Sequence, residues 1–285
     1  MAFRSITTGA EIRAIPMLRS EGDRLTRVVV STPRDAYFDV STHGAANIPE
    51  LADRELTIRQ HDELKATMAE FGCEVIDVPE FAGHPNSVFT RDVAVCTPGG
   101  HIKLRMGLAA RRGEEGWMSE ALESIGERCV GEIREPGTVE GGDIILAGAI
   151  AFVGVSERTN EEGARQLTGM LADMGLEVRT VWIQGYMHLG GAMSLIGPER
   201  VLCCRGVFPE GLFKGFDTIE VEPRGPSTGN VICLQENEVI ANAAENAPVI
   251  RRLEREAVRV HALDLSEFRK GAGGPTCLVL PVERR

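Results

Sequence analysis

One pattern recurs along this chain and limits what it can fold into: an apolar strand, a Gly-bearing turn, a second strand, an amphipathic helix and a closing strand. DVAVCTPGGHIKLRMG leads into ARRGEEGWMSEALESIGERC and then VGEI. DIILAGAIAFVGVS leads into TNEEGARQLTGMLADMG and then LEVRTVWI. In both, apolar residues alternate through the hairpin and then shift to helical spacing, the two periods that separate strand from helix. Thr159-Asn160 is placed to cap the second helix and Gly175 to end it. A third unit opens at AMSLIGPERVLCC and closes at DTIEVEP, its helix reduced to GVFPEGLFKGF. The fourth reads NVICLQENEVIANA, APVIRRLEREA, VRVHALDL. The fifth is split between the ends of the sequence: CLVLPVE supplies one strand, and RVVVSTP, ADRELTIRQHDELKATMAEFG and CEVIDVPE supply the rest.

The unit starts at Asp92, Asp143, Met193, Asn230 and Cys277 lie 51, 50, 37 and 47 residues apart. Five ββαβ units closing through the terminal strands predict an α/β propeller, a ring that leaves no open sheet edge. An ordinary open α/β sheet satisfies the same pattern. No Pro/Ser-rich linker or shift in composition divides the chain, so a single domain over residues 1–285 is expected.

Composition narrows the function classes. There are 42 acidic and 31 basic side chains, a net charge of −11, which disfavours a nucleic-acid partner needing clustered Lys and Arg. The seven cysteines are odd in number and without CxxC spacing, against a disulfide framework or a zinc site and for a reducing cytoplasm. The first residues, MAFRSITTGAEIRAIPMLRSEGDR, lack an uninterrupted apolar core, and no stretch approaches the ~18 apolar residues of a membrane span. The expectation is a cytoplasmic protein without a membrane partner.

Four chemistry-bearing clusters lie at or just before the first strand of a unit: PNSVFTRD (85–92), VEGGD (139–143), MHLGG (187–191) and GAGGPTC (271–277). If the units surround an axis, these clusters meet at its centre. Cys277, after a Gly-Gly-Pro run that lets backbone approach a ligand closely, is a candidate nucleophile; a small buried apolar residue is the plainer alternative. His188, before a Gly-Gly turn, suits a proton shuttle, although a lone histidine is more often structural. Asp92, Glu140 and Asp143 sit in segments bound for burial, where a charge needs a partner. A planar cation with several N–H groups satisfies two carboxylates at once, and internal ion pairs with Arg91, Arg105 or Arg158 do so equally well. No Gly-rich phosphate loop is present.

Together, FTRD, EGGD, SERT, MHL and GGPTC, in that order, resemble the guanidino-group-modifying enzymes: arginine deiminase, dimethylarginine dimethylaminohydrolase and the amidinotransferases. The resemblance runs from about Arg27 to the end. It implies the five-unit α/β propeller called the pentein fold. It further implies Cys277 as nucleophile, His188 as general acid and base, and Asp92 and Glu140 as the carboxylates holding the guanidinium. Arg111 and Arg158 match positions that bind the α-carboxylate of an arginine-type substrate, and Phe89 and Asn86 match lining positions. The motifs look like those of arginine deiminase, but the segment before NSVFTRD has no room for the deiminase helical insertion. Gly190 and Ala272 stand where deiminases carry an aspartate and an arginine, a departure that bears on substrate choice.

The implied reaction is hydrolysis of arginine or an N-methylated arginine through a covalent thiouronium, releasing ammonia or an alkylamine and a ureido product such as citrulline. That chemistry needs neither metal nor organic cofactor. The small-molecule guanidino substrate is the main partner, and a homodimer is the assembly common among relatives. An amidinotransferase, or a non-catalytic binding protein on the same fold, are the alternatives.

Overall fold

A computed structural model describes residues 20–285 of the chain; the reading of the first residues as free of an apolar leader falls mostly on 1–19 and lies outside them. In chain order, β1 (Leu25–Ser31) is followed by α1 (Val40–Ala46), α2 (Arg54–Glu70) and β2 (Glu74–Val78). Next come β3 (Ala94–Thr97), β4 (Gly100–Lys103), α3 (Glu114–Ser124) and β5 (Cys129–Glu132). They lead into β6 (Ile144–Ala147), β7 (Ile150–Val155), α4 (Glu161–Asp173) and β8 (Glu177–Trp182). A short α5 (Leu189–Ala192) precedes β9 (Met193–Gly197), β10 (Arg200–Cys204) and β11 (Asp217–Val221). The last elements are β12 (Val231–Gln235), β13 (Glu238–Asn242), α6 (Ala243–Arg255), β14 (Arg259–Leu263), α7 (Ser266–Lys270) and β15 (Leu280–Arg284).

Among the described residues the strands form five three-stranded sheets with one topology: β15-β1-β2, β3-β4-β5, β6-β7-β8, β9-β10-β11 and β12-β13-β14. In each, the first pair is antiparallel and the second parallel. A parallel neighbour requires a crossover, which α2, α3, α4 and α6 provide. The third unit crosses through turns over 205–216, as its shortened helical segment suggests. The split unit is completed by the pairing of β15 with β1, for example Val29 opposite Leu280.

Burial grades across each sheet. AVCT of β3 and IILA of β6 are buried throughout, whereas β2 and β14 at the far edges are largely exposed or half-buried. The alternation expected of the hairpins is absent from these inner segments, because strands covered on both faces read as continuous apolar runs. The crossover helices close the outer cores. Leu167 and Leu171 of α4 pack with Ile144, Leu146 and Val153, so Leu167→Ala is expected to cost ~2–5 kcal/mol. Helix starts follow local chemistry: Asp53 caps α2 by accepting from Leu56 N, and Asn160 caps α4 by accepting from Gly163 N. In α6, Pro248 lies beside a non-helical Asn246, the break a missing N–H and a ring clash produce.

The inner strands of different sheets touch one another: β15 with β3, β6 with β9, and β9 with β12. The segments that feed them meet as well. The 3₁₀ turn Thr90–Asp92 contacts the turns Gly141–Asp143 and Pro275–Leu278, and α5 contacts Gly141–Asp143. Residues 185 positions apart in sequence are thereby gathered at one place, Asp92 and Cys277 among them. No helix among the described residues is long and apolar enough to cross a membrane.

Candidate active site

The converging turns surround a cavity of about 550 Å³, within the size range of small-molecule sites. Asn86, Phe89, Asp92, Arg111, Glu140, Arg158, His188 and Cys277 all line it. Asp143 does not.

His188 and Glu140 form the centre. His188 precedes α5 in extended backbone, and its Nε2 is 2.8 Å from Glu140 Oε2. Burial alone would lower the imidazole pKa, but Asp92, Glu140 and Asp143 outweigh it and raise the value to about 9. Glu140 is fully buried, which opposes its charge, yet the bond from His188 and the charges of His188, Arg111 and Arg158 bring it down to about 2. Its second oxygen accepts from the backbone N–H groups of Gly107 at 3.0 Å and Leu108 at 3.2 Å. Gly142 stands directly against the imidazole: a Cβ there would lie 2.6 Å from Nδ1, so only glycine leaves the ring its place.

Asp92 ends the 3₁₀ turn Thr90–Asp92. Its Oδ2 accepts from Arg111 Nη1 at 2.5 Å, while Oδ1 has no hydrogen-bond partner among the described residues and lies 4.0 Å from His188 Nδ1. One ligand atom each from Asp92, Glu140 and His188 fall within 4.8 Å of one another, a spacing at which a metal ion or a planar organic cation can be shared.

Cys277 belongs to the turn Pro275–Leu278 and is half-buried at the cavity. Its Sγ accepts from Gly274 N at 3.4 Å. Burial and then Asp92 push the thiol up to about 11, against the Gly274 amide and the charges of Arg111 and Arg91. The resting site therefore pairs a neutral thiol with an imidazolium. Asn230, which the motifs do not single out, braces the cysteine turn to the histidine turn: its Nδ2 donates to Thr276 Oγ1 at 2.6 Å and Gly190 O at 2.8 Å, and its Oδ1 accepts from Thr276 N at 2.9 Å. Its position as the first residue of the fourth unit was a signal that could have found it.

The remaining expected residues divide. Phe89 is buried edge-on to Tyr37, with Gly273 against its ring; a Cβ on Gly273 would come within 2.2 Å. Asn86 donates to Ala46 O at 2.7 Å, joining the end of α1 to the cavity, and its buried Oδ1 has no partner among the described residues. Arg158 has its Nη1 3.9 Å from Glu140 Oε1, and its guanidinium makes no hydrogen bond among the described residues. Arg111 lines the cavity with Nε on Glu114, Nη1 on Asp92 and Nη2 on the carbonyls of Asn86 and Phe89, so four of its five N–H groups are used and one on Nη1 has no partner among the described residues. Asp143 differs from expectation. It is fully buried, with Oδ2 accepting from Ser156 and Thr159 hydroxyls and Oδ1 from Leu189 N, so it ties the glutamate turn to α5 instead of facing a ligand. Of the arginines weighed as internal partners, Arg91 bonds Glu21, Gly141 O and Ile144 O, and Arg105 bonds Gly137 O and Glu135.

Comparison with known proteins agrees with this architecture. The family model described as N,N dimethylarginine dimethylhydrolase, eukaryotic, matches residues 33–284. A dimethylarginine dimethylaminohydrolase of Pseudomonas aeruginosa is 29% identical over 253 residues, spanning 89% of this chain and 98% of that protein. An uncharacterized protein of Aeropyrum pernix is 32% identical over 268 residues, 92% and 97% of the two chains. The solved Pseudomonas aeruginosa enzyme complexed with citrulline superposes with a TM-score of 0.79 at 28% identity, covering 90% of this chain and 99% of that one. An amidinotransferase from Microseira wollei, 16% identical with a TM-score of 0.79 over 95% and 98% of the chains, shares the fold. The chain belongs to the dimethylarginine dimethylaminohydrolase family, hydrolases of the guanidino-group-modifying superfamily with the pentein α/β fold.

Proposed function

We propose that the protein hydrolyses the guanidino group of arginine or an N-methylated arginine, giving citrulline and ammonia or an alkylamine, with Cys277 as nucleophile. The observation that carries this reading is the placement of Cys277, His188, Asp92 and Glu140 around one cavity, with Asp92 Oδ1 still unpartnered. In this reading the five units close into a propeller forming one catalytic domain, with the site on its axis. The relatives' names, and the citrulline in the solved relative, support the substrate class.

The steps follow from charge. Asp92 and Glu140 hold the substrate guanidinium, a cation that is otherwise a poor electrophile, with its central carbon near Sγ. The incoming positive charge lowers the Cys277 pKa, and the thiol proton leaves to solvent. Thiolate attack forms the S–C bond. His188, charged at neutral pH, gives its proton to the departing nitrogen as the C–N bond breaks, leaving a thiouronium. Neutral His188 then takes a proton from water, hydroxide adds to the carbon, and the C–S bond breaks to return the thiolate, while the hydroxyl proton leaves as the C=O of the ureido product forms and the thiolate regains a proton from solvent. Arg158 and Arg111, both at the cavity, are the cations for the substrate carboxylate.

The test is incubation with arginine, its methylated forms and other guanidino compounds, reading ureido products and released amines by mass. A ureido product from at least one member is expected; none from any member overturns the reading.

A further inference from the structure

From the cavity lining inward, Asp92, Arg111 and Glu114 form a continuous chain of ion pairs. Glu114 is the first residue of α3 and is fully buried. Its Oε2 accepts from Arg111 Nε at 2.9 Å and lies 2.8 Å from Nη2. Arg111 Nη1 then donates to Asp92 Oδ2 at 2.5 Å, and Nη2 reaches the carbonyls of Asn86 at 3.2 Å and Phe89 at 3.1 Å. All three guanidinium nitrogens thus have partners inside the protein. The other oxygen of Asp92, Oδ1, is buried without a hydrogen-bond partner among the described residues, a costly state that a cationic ligand in the adjoining cavity relieves.

We infer that Glu114 is a positioning residue of the site, acting through Arg111 to present Asp92 Oδ1 to the substrate guanidinium. The inference rests on the guanidino-hydrolase reading above. Its physical content is a charge balance. One guanidinium shared by two carboxylates leaves a net negative charge for an incoming cation. Without Glu114, Arg111 neutralises Asp92 alone, and the attraction falls. The location suits the role, since the start of a helix favours an anion and burial removes the screening that surface pairs suffer. His84 Nδ1, 3.6 Å from Glu114 Oε1, is the further titratable group facing this carboxylate.

Glu114→Gln keeps the shape and an acceptor for Arg111 but removes the charge. Relative to wild type, KM for the substrate turned over is expected to rise about tenfold. The apparent pKa of Cys277, read from the pH dependence of iodoacetamide labelling of the free enzyme, is expected to fall, because the added positive charge favours a thiolate. Loss of packing alone does not move the two readouts in this way. Glu114→Asp, which keeps the charge, is expected to restore the thiol pKa, and Glu120→Gln, exposed on the same helix, to change neither. A folded Glu114→Gln with wild-type KM and wild-type thiol pKa overturns the inference. Should that variant not fold, Arg111→Met/Glu114→Met removes both partners without changing net charge. With the charge balance kept, it is expected to leave the Cys277 labelling pKa at the wild-type value, and a pKa that falls there overturns the inference too. A wild-type protein inert toward every guanidino compound counts instead against the hydrolase reading, and the labelling arm then still decides the role of Glu114.

Discussion

His188 Nε2 and Glu140 Oε2 meet at 2.8 Å in a pair almost closed to solvent, and each holds the other in its charged form. Against the opposing effect of burial, the histidine is raised to about 9 and the glutamate lowered to about 2. The imidazole is thereby favoured in its charged form, as the proposed proton donor requires.

Removing that support should be visible in the pH profile. Glu140→Gln withdraws a charge and a hydrogen bond from His188, so the basic limb of kcat should move to lower pH. Because Glu140 is also proposed to hold the substrate, activity at pH 7.5 should fall by about 10²–10⁴. A variant with an unshifted basic limb contradicts the assignment of that limb to His188.

Stability should carry the same signature. His188 has a folded pKa of about 9, above its ordinary 6.5, so its contribution is complete below pH 6.5 and lost as pH rises through 9. Glu140 has a folded pKa of about 2, below its ordinary 4.5, so its contribution is complete above pH 4.5 and lost as pH falls through 2. The Tm gap between wild type and His188→Asn should therefore be widest between pH 4.5 and 6.5 and narrow toward pH 9 and above. Thermal melts across that range check it; a gap that widens toward pH 9 has the wrong sign.

Arg158 should act on the carboxylate end alone. Arg158→Met is expected to raise KM for an amino-acid substrate by about 10–100-fold, the worth of a charge-assisted hydrogen bond, with kcat little changed. Agmatine, which has the same guanidinium without the carboxylate, should lose much less. Steady-state kinetics on the pair decide it, and equal losses for both place Arg158 elsewhere.

Gly142 should not tolerate even one methyl group. A Cβ 2.6 Å from His188 Nδ1 must push the ring off Glu140. Gly142→Ala is expected to lose more than about tenfold in kcat and ~1–3 kcal/mol in stability. Near-wild-type kinetics with an unchanged denaturation midpoint show that the imidazole has room to spare.

The unit pattern was legible because burial imposes it: AVC and IILA are apolar runs where both faces are covered, in place of the alternation expected, and the helical period begins where Asn160 starts a helix. By contrast, VSTHGAA shows no helical apolar period, and α1 becomes visible only through the bond from Asn86 to the Ala46 carbonyl, 40 residues away. The motifs brought Arg111 to the cavity but not its commitments, which depend on where α3 begins and so on Glu114 facing back toward it. Asn230 was readable as a unit boundary, yet its bonds to Thr276 span 46 residues and follow only from the meeting of two turns.

The central claim is that Cys277 becomes covalently bonded to the substrate carbon, and intact-protein mass spectrometry of rapidly quenched turnover mixtures tests it most directly. With a guanidino amino acid in excess, the wild type is expected to show a transient adduct equal to substrate less ammonia or amine, mapped by peptide digestion to Cys277. Cys277→Ser is expected to show neither this adduct nor turnover. Retained turnover in Cys277→Ser, or an adduct mapping to another residue, contradicts the account.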